Sequence, residues 1–143
     1  MIRAVLDANV LISGLISRKG TPGQILDAWL KGHFRNCISP AILNEISRVL
    51  KYPRIAERLG TDEADKMLYF LSALSEWVEV KKELRVLTRD PSDNAYLSCA
   101  VDAGADYLVT GNTSHFEEAG AIYAGVRTVS PSAFLEILHA ESP

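Results

Sequence analysis

The chain has 143 residues, 48% of them apolar and 23% charged, with 15 Lys and Arg against 18 Asp and Glu for a formal net charge of −3. That length supports one hydrophobic core, and the composition excludes a disordered, repetitive or disulfide-stapled chain. A negative total gives no support to an extended basic nucleic-acid surface and leaves only a local patch for such a role. Cys37 and Cys99 lie in apolar segments, where buried free thiols are commoner than a bridge, and a reducing, cytoplasmic compartment is expected. No run of about 18 apolar residues is present, so no membrane span is expected, and Asp7 and Asn9 interrupt the run that a secretory signal needs.

The first strand candidate contains Ile2, Val5 and Leu6 and delivers Asp7 into the apolar continuation Val10-Leu11-Ile12. Asp7 reads in two ways: as the cap of a short helix over 9–15, or as a ligand-binding carboxylate at the carboxyl end of a central strand. Arg18-Lys19-Gly20 forms a basic loop, after which Thr21 is the expected cap, Pro22 the first position and Gln24 the capping-box residue of a helix to Lys31. A strand over 34–38 precedes Ser39-Pro40, a cap-then-proline signal for a helix over 40–50, where Glu45 and Arg48 stand one turn apart. Pro53 ends that helix. A short turn of helix to Leu59 follows, and Thr61 is expected to cap a helix buried through Met67, Leu68, Phe70, Leu71 and Leu74.

A strand over 76–80 and a charged, aperiodic stretch over 81–89 lead to Asp90-Pro91-Ser92-Asp93. As local structure this is a cap, a first-position proline and an acid at the third position; as chemistry it places Asp93 at the start of a helix over 94–103, facing the end of the Asp7 strand. Gly104 closes the helix, residues 105–110 form a buried strand leaving through Thr110-Gly111-Asn112, and a short helical turn over 113–119 stops at Gly120. The last strand spans 126–129, and Ser130-Pro131 opens a final helix with Phe134, Leu135 and Leu138 inward. Strands alternating with helices predict an α/β fold with a mostly parallel sheet covered on both faces, in one domain over 1–140 with a tail over 141–143.

Three carboxylates stand where elements meet loops: Asp7, Glu45 and Asp93, with the amide of Asn112 at the same expected edge. Oxygen ligands without a cysteine or histidine pair suit Mg²⁺ or Mn²⁺. Acids clustered in this way either hold a cation or have raised pKa values, and divalent ions so held support hydrolysis of phosphodiesters. Arg18, Lys19 and Arg48 are candidate contacts to a phosphate backbone, and Ser13, Asp90, Thr110 and His115 are candidate accessory groups.

The segments Val5-Leu6-Asp7-Ala8-Asn9-Val10-Leu11-Ile12-Ser13, Ser39-Pro40-Ala41-Ile42-Leu43-Asn44-Glu45-Ile46, Asp90-Pro91-Ser92-Asp93-Asn94-Ala95-Tyr96-Leu97, Ala105-Asp106-Tyr107-Leu108-Val109-Thr110-Gly111-Asn112 and Val129-Ser130-Pro131-Ser132-Ala133-Phe134-Leu135 together resemble the PIN-domain family, in particular the toxin components of toxin–antitoxin systems. The resemblance runs from residue 2 to residue 138. It implies strand order 3-2-1-4-5 and an acidic Mg²⁺ or Mn²⁺ site, of one or two ions, that cuts RNA. It carries Asp7 and Asp93 over as direct metal ligands and Glu45 as a ligand or as the group that orients its water. A small antitoxin partner and self-association into a homodimer or larger homo-oligomer, through helix faces around Trp29 and Met67, are also implied. Family members often carry a fourth acid at the place of Asn112 or near His115; this chain has neither.

Two alternatives stand beside the ribonuclease. One is a catalytically weakened PIN-like module that binds RNA or protein, and the other a phosphotransfer receiver domain. The second lacks the paired acids before Asp7 and the lysine pattern it would need. Single-stranded DNA stays open as a substrate, since a carboxylate site acting on the phosphodiester requires no 2′-hydroxyl.

Overall fold

The computed structural model describes residues 1–141. Ser142 and Pro143, part of the expected tail, lie outside the described residues, and Glu141 ends the last helix. In chain order the elements are β1 (Arg3–Leu6), α1 (Ala8–Ile16), α2 (Thr21–Leu30), β2 (Arg35–Ile38), α3 (Pro40–Leu50), α4 (Pro53–Leu59), α5 (Thr61–Leu74) and β3 (Glu76–Trp77). A 3₁₀ turn (Pro91–Asp93), α6 (Asn94–Ala103), β4 (Tyr107–Val109), a second 3₁₀ turn (Thr113–Ala119), β5 (Ile122–Tyr123), β6 (Val126–Val129) and α7 (Pro131–Glu141) follow.

The sheet has the order β3-β2-β1-β4-β6-β5, parallel throughout except for the β5–β6 pair. The five strands expected from the sequence thus stand in the order 3-2-1-4-5, the last of them being β6. The addition is β5, two residues joined to β6 by Ala124 and Gly125, both at positive φ (48° and 85°). Positive φ at both loop positions matches the right-handed twist of a two-residue hairpin. From β1 the chain adds β2 and β3 on one side, then returns to place β4 on the other. The crevice beyond the carboxyl ends of β1 and β4 is therefore a topological switch point, where ligands bind in open α/β sheets.

Ala4, Val5 and Leu6 are all buried, so β1 is covered on both faces. On that account its apolar residues run consecutively rather than alternate. Helix α6 packs across β1, β2 and β4, while α2 lies against α1 and α7. Phe34 and Phe134 meet edge to face at 5.1 Å, joining the residue just before β2 to α7. The turn between α1 and α2 demands glycine at residue 23, where a Cβ would stand 2.3 Å from the Arg18 carbonyl oxygen. Gly104, in the left-handed conformation at φ 63°, ends α6 as expected.

Several local expectations need correction. Gly20 and Gly60, not Thr21 and Thr61, stand at the caps of α2 and α5, and each threonine is the first residue of its helix. The Gln24 amide donates to the Lys19 carbonyl (3.2 Å) instead of closing a capping box. Strand β3 stops at Trp77, two residues long, because beyond Val78 the backbone leaves β2 and is held by α6. Trp29 and Met67 themselves are buried in the core, and Leu30, Tyr69, Leu74 and Trp77 are exposed large apolar residues near them in sequence. Cys37 and Cys99 are buried free thiols, with pKa values pushed by burial up to about 11 and about 12, so both are inert. Among the described residues, no helix is long and apolar enough to cross a membrane.

Candidate functional site

Asp7 leaves the end of β1 in an extended conformation, and its two carboxylate oxygens do different work. Oδ1 accepts the Val10 N–H at 3.1 Å and caps α1, while Oδ2 accepts the Thr110 hydroxyl at 2.5 Å. The capping role and a place at the switch point are thus both present. Thr110, fully buried just past β4, also accepts the Asn112 N–H at 3.0 Å, which fixes the polar exit of that strand. Ser39 caps α3 through its hydroxyl and starts the helix that brings Glu45 round to the same edge.

Asp90 and Asp93 arrive on a strap that follows β3. Its backbone has no ladder partner and is held by one polar stripe of α6: Lys81 N–H donates to Asp102, Leu84 N–H to Ser98, and Leu87 N–H to Asn94, at 2.8 to 2.9 Å. Those three side chains stand at i, i+4 and i+8 of the helix, one above another. Asn94 also donates to the Leu87 carbonyl, so that residue is satisfied at both ends. Asp90 makes no side-chain cap, contrary to its local reading, and its carboxylate is left to face the site.

These elements open into one pocket of about 160 Å³ lined by Asp7, Asn9, Glu45, Asp90, Ser92 and Asp93 together with Tyr96, Asn112 and His115. Neither Lys nor Arg lines it. His115 Nδ1 lies 3.0 Å from Asp93 Oδ2 and 3.9 Å from Asp90 Oδ1. Ligand atoms of Asp90, Asp93 and His115 all fall within 4.8 Å of one another. Burial pushes the Asp7 carboxyl above its ordinary pKa; the Thr110 hydroxyl and the amides of Val10 and Asn9 oppose that rise, and the Glu45 charge adds to it. Asp93 is likewise raised by burial, opposed by His115 and reinforced by the charges of Asp7 and Asp90. Carboxylates, an amide and one imidazole converging in a pocket that no Lys or Arg lines form a donor set that fits a divalent ion, which would relieve this mutual repulsion.

The basic candidates divide. Arg48 stands at the rim, its guanidinium 3.9 Å from Glu45 Oε1 and bonded to the Tyr52 hydroxyl at 2.6 Å. Arg18 is paired with Asp27 at 2.6 Å, and neither it nor Lys19 lines the pocket. Ser13 is exposed on α1, one turn beyond Asn9, and does not line the pocket either.

Tyr96 is the group that the sequence argument passed over. Its hydroxyl donates to Glu45 Oε2 and accepts the Ala8 N–H at 3.2 Å, linking α6, α3 and the start of α1. Burial, with the Glu45 carboxylate beside it, raises its pKa and keeps the phenol protonated. The available signal was its position three residues after Asp93 on a buried helix face, since a buried tyrosine hydroxyl seeks a partner.

No curated protein matches the chain. The family model described as the PIN domain matches residues 3–114, a span that takes in Asp7, Glu45, Asp90, Asp93 and Asn112 and ends one residue before His115. On that match, over most of its length, the chain belongs to the PIN domain family.

Proposed function

We propose that the protein is a divalent-cation-dependent endoribonuclease that hydrolyses phosphodiester bonds, and that it serves as the toxin of a toxin–antitoxin pair. The observation that carries the chemistry is the convergence of Asp7, Glu45 and Asp93, from three distant segments, on one pocket that no Lys or Arg lines, Arg48 standing only at its rim. RNA as substrate, a small inhibitory partner and self-association rest on the motif resemblance to the toxin branch.

Asp7 and Asp93 would hold the ion, with Asp90, Asn112 and His115 completing the donors on the β4 side. A bound divalent ion supplies charge neutralisation for the scissile phosphate and acidifies a water molecule at neutral pH. Thr110 and the α1 amides keep the Asp7 carboxylate oriented, so no reorganisation is needed when substrate arrives. Glu45, one oxygen tied to Tyr96, uses the other to hold the attacking water and take its proton. The water oxygen bonds to phosphorus and one ester P–O bond breaks, leaving a phosphate monoester on one fragment and a hydroxyl on the other. Arg48, exposed at the rim, receives a flanking phosphate of the strand.

The neutral Asn112 favours a second reading, a catalytically weakened module that binds RNA or protein through the same pocket. Incubation of the purified protein with an RNA pool and a single-stranded DNA control, with EDTA, Mg²⁺ or Mn²⁺, separates the two. Cation-dependent RNA cleavage is expected, falling at least about 100-fold (~2.7 kcal/mol of barrier) in Asp7→Asn and Asp93→Asn variants that remain folded. Cation binding with no cleavage by the wild type moves the assignment to the binding module.

A further inference from the structure

The nitrogen donor in the pocket separates this site from one built of oxygens alone. We propose that Asp90, Asp93 and His115 form a mixed imidazole–carboxylate centre that takes a divalent transition ion, Mn²⁺ or a later first-row ion, in preference to Mg²⁺. This rests on the reading of the pocket as a cation-binding site and adds to it the identity of the ion, set by the nitrogen of His115.

The geometry is that of a ligand set. Around an ion with bonds of about 2.1 Å, adjacent ligand atoms of an octahedron stand about 3 Å apart and opposite ones about 4.2 Å. His115 Nδ1 is 3.0 Å from Asp93 Oδ2 and 3.9 Å from Asp90 Oδ1. An ion between them takes the place of the proton that His115 and Asp93 share in the hydrogen bond. The three residues come from two segments fixed to each other at a second point: Glu118, three residues after His115, accepts the Thr88 and Arg89 amides at 2.8 and 3.0 Å, just ahead of Asp90. The donors are therefore held in place by bonds outside the centre. The His115 side chain is 40% exposed, which leaves a path for the ion and room for water ligands.

Selectivity follows from the donors. Mg²⁺ binds hard oxygens and retains its waters, gaining little from imidazole, whereas Mn²⁺ accepts both donor types and the later ions bind imidazole progressively better. Replacing His115 by an acid would restore an all-oxygen set and remove the distinction.

The test loads the full chain with Mn²⁺ and records electron spin-echo modulation from ¹⁴N, beside calorimetric titrations with Mn²⁺ and Mg²⁺. Modulation from one imidazole nitrogen is expected in the wild type and lost in His115→Gln, with far-ultraviolet circular dichroism unchanged. The Mg²⁺-to-Mn²⁺ ratio of dissociation constants should fall by about tenfold or more in His115→Asp. Mn²⁺ bound without nitrogen modulation, or an unchanged ratio in His115→Asp, overturns the proposal while the cation reading of the pocket stands. Failure of both ions to bind overturns the two together.

Discussion

The Tyr96 hydroxyl serves two clients, the Ala8 amide and the Glu45 carboxylate. Tyr96→Phe keeps the ring and removes both bonds. The buried Ala8 N–H then goes unpaired, and a loss of about 1–2 kcal/mol in urea unfolding is expected. Glu45 also loses its fixed orientation, so kcat for RNA cleavage should drop by about tenfold with KM little changed, the signature of a group acting through another. Unaltered kcat would show that Glu45 is oriented by something else. At this scale the sequence was a partial guide. Asp7, Glu45 and Asp93 could be picked out because a carboxylate beside an apolar run is conspicuous. Tyr96 could not, because a tyrosine on a buried helix face reads as packing until its hydroxyl is seen to have partners. Asp90 was obscured by an adequate local explanation, a cap before proline, which the backbone at φ −128° and ψ 71° does not use.

Among the elements, the strap before Asp90 shows why regular patterns cover only part of the chain. Residues 81–89 have no period because their backbone is satisfied by side chains of α6 and by Glu118, partners distant in sequence. The glycine caps of α2 and α5 show the same effect at smaller range: each threonine has the chemistry of a cap, yet the chain enters its helix one residue earlier. Glu118 gives this region a pH response. Bonds from the Arg89 amide and the Thr88 hydroxyl and amide hold its pKa below the ordinary 4.5. A group with a depressed folded pKa contributes stability above its unfolded value and loses it as pH falls through the folded one. The stability difference between wild type and Glu118→Gln should accordingly be constant from pH 7 to about 5 and shrink below about 4.5, read by urea unfolding at each pH. At neutral pH the variant's Thr88 and Arg89 amides should exchange faster with deuterium. A difference that persists unchanged into acid would remove Glu118 as the clamp.

Taken as a whole, the molecule stores repulsion at one edge of a well-packed sheet. Four acids share the pocket, and burial raises two of them, so the ion-free protein is less stable than its core permits. A cation that binds the folded state alone adds about 2.7 kcal/mol at a concentration 100 times its dissociation constant. For a chain of this size that corresponds to a rise in Tm on the order of 9 °C. Differential scanning fluorimetry should show the rise on adding Mn²⁺, its reversal by EDTA and its absence in Asp93→Asn; equal midpoints with and without the ion would remove the metal centre. The mostly parallel, doubly covered sheet was the most legible property of all, since strand and helix patterns alternate along the chain, while the order of its strands came with the family resemblance and not with the pattern. Only β5, two residues in a hairpin, was too short to carry a pattern of its own.

The bond from Thr110 to Asp7 joins residues 103 positions apart and closes the pocket between the ends of β1 and β4. On a ribosome, β1 emerges early and waits for β4, and His115 follows later still. A nascent chain thus carries its acids apart until β4 is made, and the pocket is complete only once His115 has followed. Whatever chemistry the site performs is withheld from copies that stop short of β4 and His115.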